Sequence, residues 1–140
     1  METLKIVCPE CISVESIATQ SVEAECIKCN GDLADPFPLE VNDEICSKHI
    51  AENDIATLVD FYSTTCGPCM AMYDDYEDAA LGFPLKVRFL KINADKHQQV
   101  ASQYGVSGLP TIIAFKQGEE VNRISRQLSQ SELILWAESL

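Results

Sequence analysis

Basic residues are scarce in this chain: ten Lys and Arg stand against 22 Asp and Glu, for a formal net charge of −12. A surface with that balance repels phosphate backbones and anionic lipid, which argues against nucleic acid or a membrane as partner. Long hydrophobic runs are missing too. No stretch approaches the roughly 18–20 apolar residues that a bilayer-spanning helix needs. The opening Met-Glu-Thr-Leu-Lys-Ile-Val-Cys has no basic segment, and its apolar stretch is too short for a secretory signal, so a cytosolic location is expected. Internal repeats and low-complexity tracts are absent. Hydrophobic residues nonetheless make up 46% of the 140 residues, enough to build a core and to exclude a disordered chain. Aromatics are few, and there is one tryptophan.

Cysteine is the exception, with seven residues. An odd number in a chain without a leader argues against a purely structural disulfide framework and for metal or redox chemistry. Six of the seven form CxxC pairs: Cys8-Pro9-Glu10-Cys11, Cys26-Ile27-Lys28-Cys29 and Cys66-Gly67-Pro68-Cys69. The first two share a short polar segment, whereas the third follows a hydrophobic run. Two modules with different cysteine chemistry are therefore expected, residues 1–35 and residues 36–140.

Residues 1–31 carry few large apolar side chains, so this segment needs a staple to fold. Two CxxC knuckles fourteen residues apart can place Cys8, Cys11, Cys26 and Cys29 at the corners of a tetrahedron around zinc. Pro9 and Gly31 suit the tight turns involved. A closed set of four cysteines makes such a zinc structural. Two disulfides, or free thiols, are the alternatives.

Residues 32–41, with Pro36 and Pro38, read as a linker ending in an edge strand at 39–41. Beyond it helix and strand signals alternate. Asn42 caps a helix running to about Glu52, with Ile45, Cys46, His49 and Ile50 at helical spacing. Continuous apolar runs at 57–62 and 87–92 predict buried strands. Helices are expected from Cys66 to about Leu81 and over 95–104. Residues 111–116 and 120–124 form a hairpin around Gln117-Gly118. Ser129 to Glu132 is a capping box opening a last helix that carries Leu133, Trp136 and Leu140 on one face. The order predicts an α/β domain with a central mixed sheet flanked by helices. Cys66 then lies just past the carboxyl end of a strand, where such sheets gather functional groups.

A cysteine at a helix start meets unpaired backbone N–H groups and the positive end of the helix dipole, which favours the thiolate. Cys66 is thus expected to attack a disulfide, and Cys69, one turn on, to resolve the mixed disulfide. A surface pair or half a metal site would fit the same spacing.

The stretch from Thr57 through Leu-Val-Asp-Phe-Tyr-Ser-Thr-Thr-Cys-Gly-Pro to Cys69 resembles the active-site segment of the thioredoxin family. Lys91-Ile-Asn-Ala-Asp95, Gly108-Leu-Pro-Thr111 and Phe115-Lys-Gln-Gly118 follow in the family's order. This likeness covers about residues 40–140. The preceding double CxxC is similar to the zinc ribbon of the second, zinc-binding type of bacterial thioredoxin.

The resemblance implies a thioredoxin fold with an N-terminal zinc ribbon and a protein-disulfide reductase. It implies disulfide-containing protein substrates, regeneration by thioredoxin reductase, and no organic cofactor. Asp60 matches the family's buried acid that shuttles the proton of Cys69, and Lys91 the lysine near that acid. Pro110 matches the cis-proline facing the disulfide, with Leu109 presenting backbone groups to an extended substrate strand. Thr65, Gly67 and Pro68 complete the substrate-facing rim. Thr65 and Tyr62 stand where the family usually has tryptophan, Asp74 where it has a helix-kinking proline, and Arg126 where it has a substrate-facing glycine.

Other residues have plainer readings. Cys46 is expected to be a buried, inert thiol, and His49 and His97 packing or surface residues. Asp74, Asp75, Glu77 and Asp78 are expected to form a solvated acidic face. Gly67-Pro68 lacks the histidine that disulfide oxidants of this superfamily usually carry between their cysteines, which sets a disulfide oxidase or isomerase behind a reductase. A third reading makes the ribbon a protein-docking module on a thioredoxin scaffold. Residues 1–40 hold eight acidic and two basic residues, so nucleic acid does not suit that module.

Overall fold

The computed structural model describes residues 2–140. Its first two strands, β1 (Thr3–Val7) and β2 (Val14–Ala18), pair antiparallel from Thr3↔Ala18 to Val7↔Val14. The turn between them is the first cysteine knuckle, and residues 26–31 form the second. The knuckles share one construction. Cys8 N–H donates to Ser13 O at 2.8 Å and Ile12 N–H to Cys8 O at 3.0 Å; Cys26 N–H donates to Gly31 O at 2.8 Å and Asn30 N–H to Cys26 O at 2.9 Å. Closing each turn puts a non-glycine residue at positive φ, Ile12 at 57° and Asn30 at 62°. Asn tolerates that conformation; a β-branched Ile does so only under tertiary constraint. The β1–β2 pairing goes beyond the sequence reading.

Next along the chain come β3 (Leu39–Val41), α1 (Asp43–Glu52) and β4 (Ala56–Tyr62). These are followed by α2 (Gly67–Ala71), α3 (Tyr73–Ala80), β5 (Val87–Asn93) and α4 (Gln99–Gln103). The chain finishes with β6 (Thr111–Lys116), β7 (Glu119–Ile124) and α5 (Gln130–Glu138). The second sheet has the order β3-β5-β4-β6-β7, parallel across β3-β5-β4 and antiparallel across β4-β6-β7. This is the mixed sheet the sequence predicts. Both central strands, β4 and β5, are covered on both faces, which explains their continuous apolar runs.

Each face has its own core. Leu58, Phe89, Ile112, Met72, Tyr76, Leu133 and Trp136 pack on the side covered by α3 and α5. Val59, Phe61, Leu90, Ile92, Cys46, Ile50 and Val100 pack on the side covered by α1 and α4. Cys46 and His49 are fully buried in α1. His49 Nδ1 bonds Asn53 at 2.8 Å, and burial lowers its pKa to about 3.

Two helices differ from expectation. The one drawn from Cys66 to Leu81 is interrupted at Met72, although Asp74 supplies no kinking proline. The segment expected as helix over 95–104 is helical only from Gln99 to Gln103. Asn93 Oδ1 accepts from Asp95 N–H at 3.0 Å and Lys96 N–H at 3.4 Å, a side-chain turn that competes with helix formation. The capping box at Ser129 and Glu132 is complete, and Asn42 Oδ1 caps α1 through Ile45 N–H.

The knuckle segment is packed against the larger sheet. Ile6, Cys8, Cys26 and Leu33 share a buried cluster with Ile55 and Leu85. Arg88, 4% exposed and on β5, reaches across to donate to the carbonyls of Val7 at 3.3 Å, Leu33 at 3.1 Å and Asp35 at 3.3 Å. Asn53 Oδ1 accepts from Val7 N–H at 2.8 Å, and Asp54 exchanges two bonds with the Lys5 backbone. No described helix is long and apolar enough to cross a membrane.

Candidate active site and candidate metal centre

β4 carries the chain to the edge of the sheet, and residues 63–66 turn it into α2. Cys66 is the N-cap of α2, in extended conformation, and its sulfur accepts from Cys69 N–H at 3.3 Å. Pro68 falls in the first turn, where a missing N–H costs nothing because that donor has no helical partner. Cys66 and Cys69 form a disulfide with Cα atoms 5.3 Å apart. Their exposure is unequal: Cys66 is half-buried and Cys69 buried at 2%. A partner sulfur in solution can therefore reach Cys66 and not Cys69.

The loop before β6 closes over this turn. The Leu109–Pro110 peptide bond is cis, and Leu109 O lies 3.6 Å from Cys66 Sγ. Thr111 Oγ1 anchors the loop by donating to Gly108 O at 2.6 Å, with Ser125 Oγ 3.1 Å away. Leu109 is half-buried, whereas Thr65, Gly67 and Pro68 are exposed around Cys66. Thr65 contacts Ser63 Oγ at 3.0 Å, and Ser63 in turn donates to Asp95 at 2.5 Å. The other positions that depart from the family pattern are also engaged or exposed. Tyr62 donates to Glu40 at 2.6 Å, Arg126 pairs with Glu132 at 2.7 Å, and Asp74 faces solvent.

Asp60 sits mid-strand in β4, 5% exposed, with Oδ1 lacking any hydrogen-bond partner. Burial pushes its carboxyl up to about 7, opposed by the charge of Lys91 and assisted by that of Glu40. Lys91 is its register neighbour on β5 and shares its face of the sheet. The Lys91 ammonium, however, bonds Glu77 at 2.9 Å and lies 4.1 Å from the centre of the Tyr73 ring. Burial works to lower the Lys91 pKa, but the Glu77 contact outweighs it and holds the group above its usual value. Glu77 is thus no free member of a solvated acidic face. The signal was present: a lysine inside a strand of continuous apolar character needs a partner, and α3 is rich in carboxylates.

The other four paired cysteines meet at the knuckles. Cys8 Sγ lies 3.6 Å from Cys29 Sγ and Cys11 Sγ 3.7 Å from Cys26 Sγ; all four sulfurs are within 4.8 Å of one another. A tetrahedral zinc with bonds of about 2.3 Å sets its sulfurs about 3.8 Å apart, so the arrangement fits. The sulfurs also have hydrogen-bond donors, although burial and the neighbouring sulfurs hold the Cys8 and Cys29 thiols above their usual value. Cys8 Sγ accepts from Glu10 and Cys11 N–H, and Cys29 Sγ from Gly31 N–H at 3.3 Å. Ser13 Oγ lies 3.0 Å from Cys11 Sγ and 3.4 Å from Cys26 Sγ, and its bond lowers the Cys11 thiol to about 6. A Cβ at Gly31 would displace the flexible, exposed Glu10 carboxylate and stand 3.1 Å from Cys29 Sγ, a tight contact.

The thioredoxin family model matches residues 37–139, which begins just before β3 and takes in every element from β3 to α5. The chain belongs to the thioredoxin family. It is 29% identical to thioredoxin C-3 of Corynebacterium nephridii over 133 residues, covering 94% of this chain and 91% of that one. It is 34% identical to thioredoxin 1 of Nostoc sp. over 85 residues, 61% of this chain and 79% of that one. Among solved structures, a mutant thioredoxin from Halobacterium salinarum superimposes with a TM-score of 0.68 at 32% identity, covering 74% of this chain and 90% of that one. The larger sheet and its helices are therefore a thioredoxin fold, and this thioredoxin is a disulfide oxidoreductase like its relatives.

Proposed function

We propose that this thioredoxin reduces protein disulfides through Cys66 and Cys69, with residues 1–35 forming a structural zinc ribbon and residues 36–140 the catalytic domain. The unequal exposure of the two cysteines is the observation that carries the division of labour. In the reduced protein the Cys66 thiolate attacks one sulfur of a substrate disulfide, and the other substrate sulfur leaves as a thiolate. Cys69 then attacks Cys66 Sγ. The second substrate thiol departs, the Cys66–Cys69 disulfide forms, and two electrons have passed to the substrate.

Cys69 must lose its proton for that second step. Asp60, buried and carrying a carboxyl that titrates near neutrality, takes it as general base. Lys91 tunes that carboxyl by its charge. The loop at Leu109 and Pro110 offers backbone groups to an extended substrate segment, a short β-augmentation beside the disulfide. Thr65, Gly67 and Pro68 form the rest of the contact rim, made more polar by the threonine.

Cys8, Cys11, Cys26 and Cys29 would hold the zinc, which supplies only cross-linking to a segment with little core of its own. The likeness to thioredoxin C-3 is long enough to run into this segment. Five free cysteines suit a reducing compartment such as the cytosol, where a thioredoxin reductase would regenerate the dithiol.

The test is trapping. Cys69→Ser leaves the attacker without a resolver and should accumulate mixed disulfides with substrate proteins on Cys66. Cys66→Ser should accumulate almost none. Equal trapping by both variants would overturn the assignment.

A further inference from the structure

Four side chains lie in one row across the face of the sheet beneath α3. Register places Glu40 on β3 against Lys91 on β5, and Lys91 against Asp60 on β4, with Ile112 of β6 beyond. Lys91 thus has a strand carboxylate on either side, yet it bonds neither at salt-bridge distance. Its ammonium is drawn up to α3 instead, to Glu77 at 2.9 Å and beneath the Tyr73 ring at 4.1 Å. Tyr73 and Glu77 are four residues apart, so one helix face presents both. Glu40 has its own donor in Tyr62. Asp60 Oδ1 is left with nothing.

We infer that Tyr73 and Glu77 are positioning residues for the proton transfer: they clamp the Lys91 ammonium on α3 and deny Asp60 a direct counter-ion. The inference rests on the reading of Asp60 as the base that serves Cys69. A carboxylate paired directly with a buried ammonium is held ionised and makes a weak base. Clamping the ammonium a short way off lets its charge moderate the carboxyl without abolishing its affinity for a proton. The other groups facing Asp60 leave this role to Lys91. Tyr62 is committed to Glu40, and Tyr76 on α3 donates to Leu90 O at 2.8 Å and Leu58 O at 3.3 Å. Cys69 on α2 is the proton donor to be served, and Ile112 is apolar.

The test is a carbon NMR titration of the Asp60 carboxyl in the full-length oxidised protein, run as a double-mutant cycle. Glu77→Gln frees the ammonium to swing toward Asp60 and should lower the titration midpoint by about one pH unit. Lys91→Met should raise it. In the Lys91→Met background, Glu77→Gln should move the midpoint far less, because Glu77 acts through the lysine. Tyr73→Ala should lower the midpoint as Glu77→Gln does, and Tyr73→Phe, which keeps the ring, should not. Neither Glu77 nor Tyr73 is deeply buried, so these variants retain the core. An effect of Glu77→Gln that is absent, or equal with and without Lys91, overturns the clamp. The pH profile of disulfide reduction separates the two ideas. If it is unmoved even by Asp60→Asn, the proton-transfer role of Asp60 fails, while the titration cycle still decides whether the clamp exists.

Discussion

Replacing Asp60 by asparagine should stabilise the oxidised protein in a way that grows with pH. The carboxyl titrates near 7 in the fold, against an ordinary value of 3.8, and burial is the main cause. The fold therefore accommodates the protonated form. Its contribution to stability is complete below the unfolded value and is lost as pH rises through the folded one. Between pH 5 and pH 8 that linkage amounts to roughly 2–3 kcal/mol. Asparagine cannot ionise and escapes the loss. Urea midpoints of wild type and Asp60→Asn, each at pH 5 and pH 8, isolate the effect because every other titrating group cancels. The variant should gain on wild type by about 1–3 M urea between the two pH values, given slopes of about 1–3 kcal/mol per molar urea. An advantage identical at both pH values, or one shrinking toward pH 8, would refute the reasoning.

Freshly prepared reduced protein should carry one zinc per chain; Cys8→Ser or Cys26→Ser should lose it together with the order of residues 1–35, and metal content near zero in wild type would end the ribbon reading. Trp136 lines a surface hollow together with Lys116 and Val121, roughly 17 Å along β6 from the end that meets Cys66, so reducing the disulfide should change its emission only slightly, and a large redox-linked change would mean that α5 lies closer to the disulfide. Arg88→Met leaves three carbonyls without their donor and should destabilise the protein by about 3 kcal/mol while speeding proteolysis within residues 1–35; unchanged protection there would mean that packing alone holds the ribbon.

What could be read from the sequence follows physical range. The strands β4 and β5, the caps at Asn42 and Ser129, and the Gln117-Gly118 turn are local signals, and each stands where its residues predict. The β1–β2 pairing was not legible, because Val7 and Glu15 break the alternation and the cysteine turn hides the hairpin. The break at Met72 has no local breaker to announce it. Long-range partnerships were hardest to see. Lys91 inside an apolar strand announces that it needs a partner, but nothing in the chain singles out Glu77 among the carboxylates of α3, and nothing near Arg88 points to Val7 and Leu33; the fold brings them together. Asp60 could be singled out because one carboxylate within an apolar strand is costly. Its lack of a counter-ion became visible only with Tyr73 and Glu77 in place.

On the proposed function, Cys66 and Cys69 work as a reducing couple. The most direct measurement is the reduction potential of that pair in the zinc-loaded protein, by equilibration against glutathione or a reference thioredoxin. A value near the −270 mV typical of thioredoxins, to within about 30 mV, is predicted, because Gly67-Pro68 supplies no group that stabilises the reduced form. A value above about −180 mV, in the range of disulfide isomerases and oxidants, would contradict it.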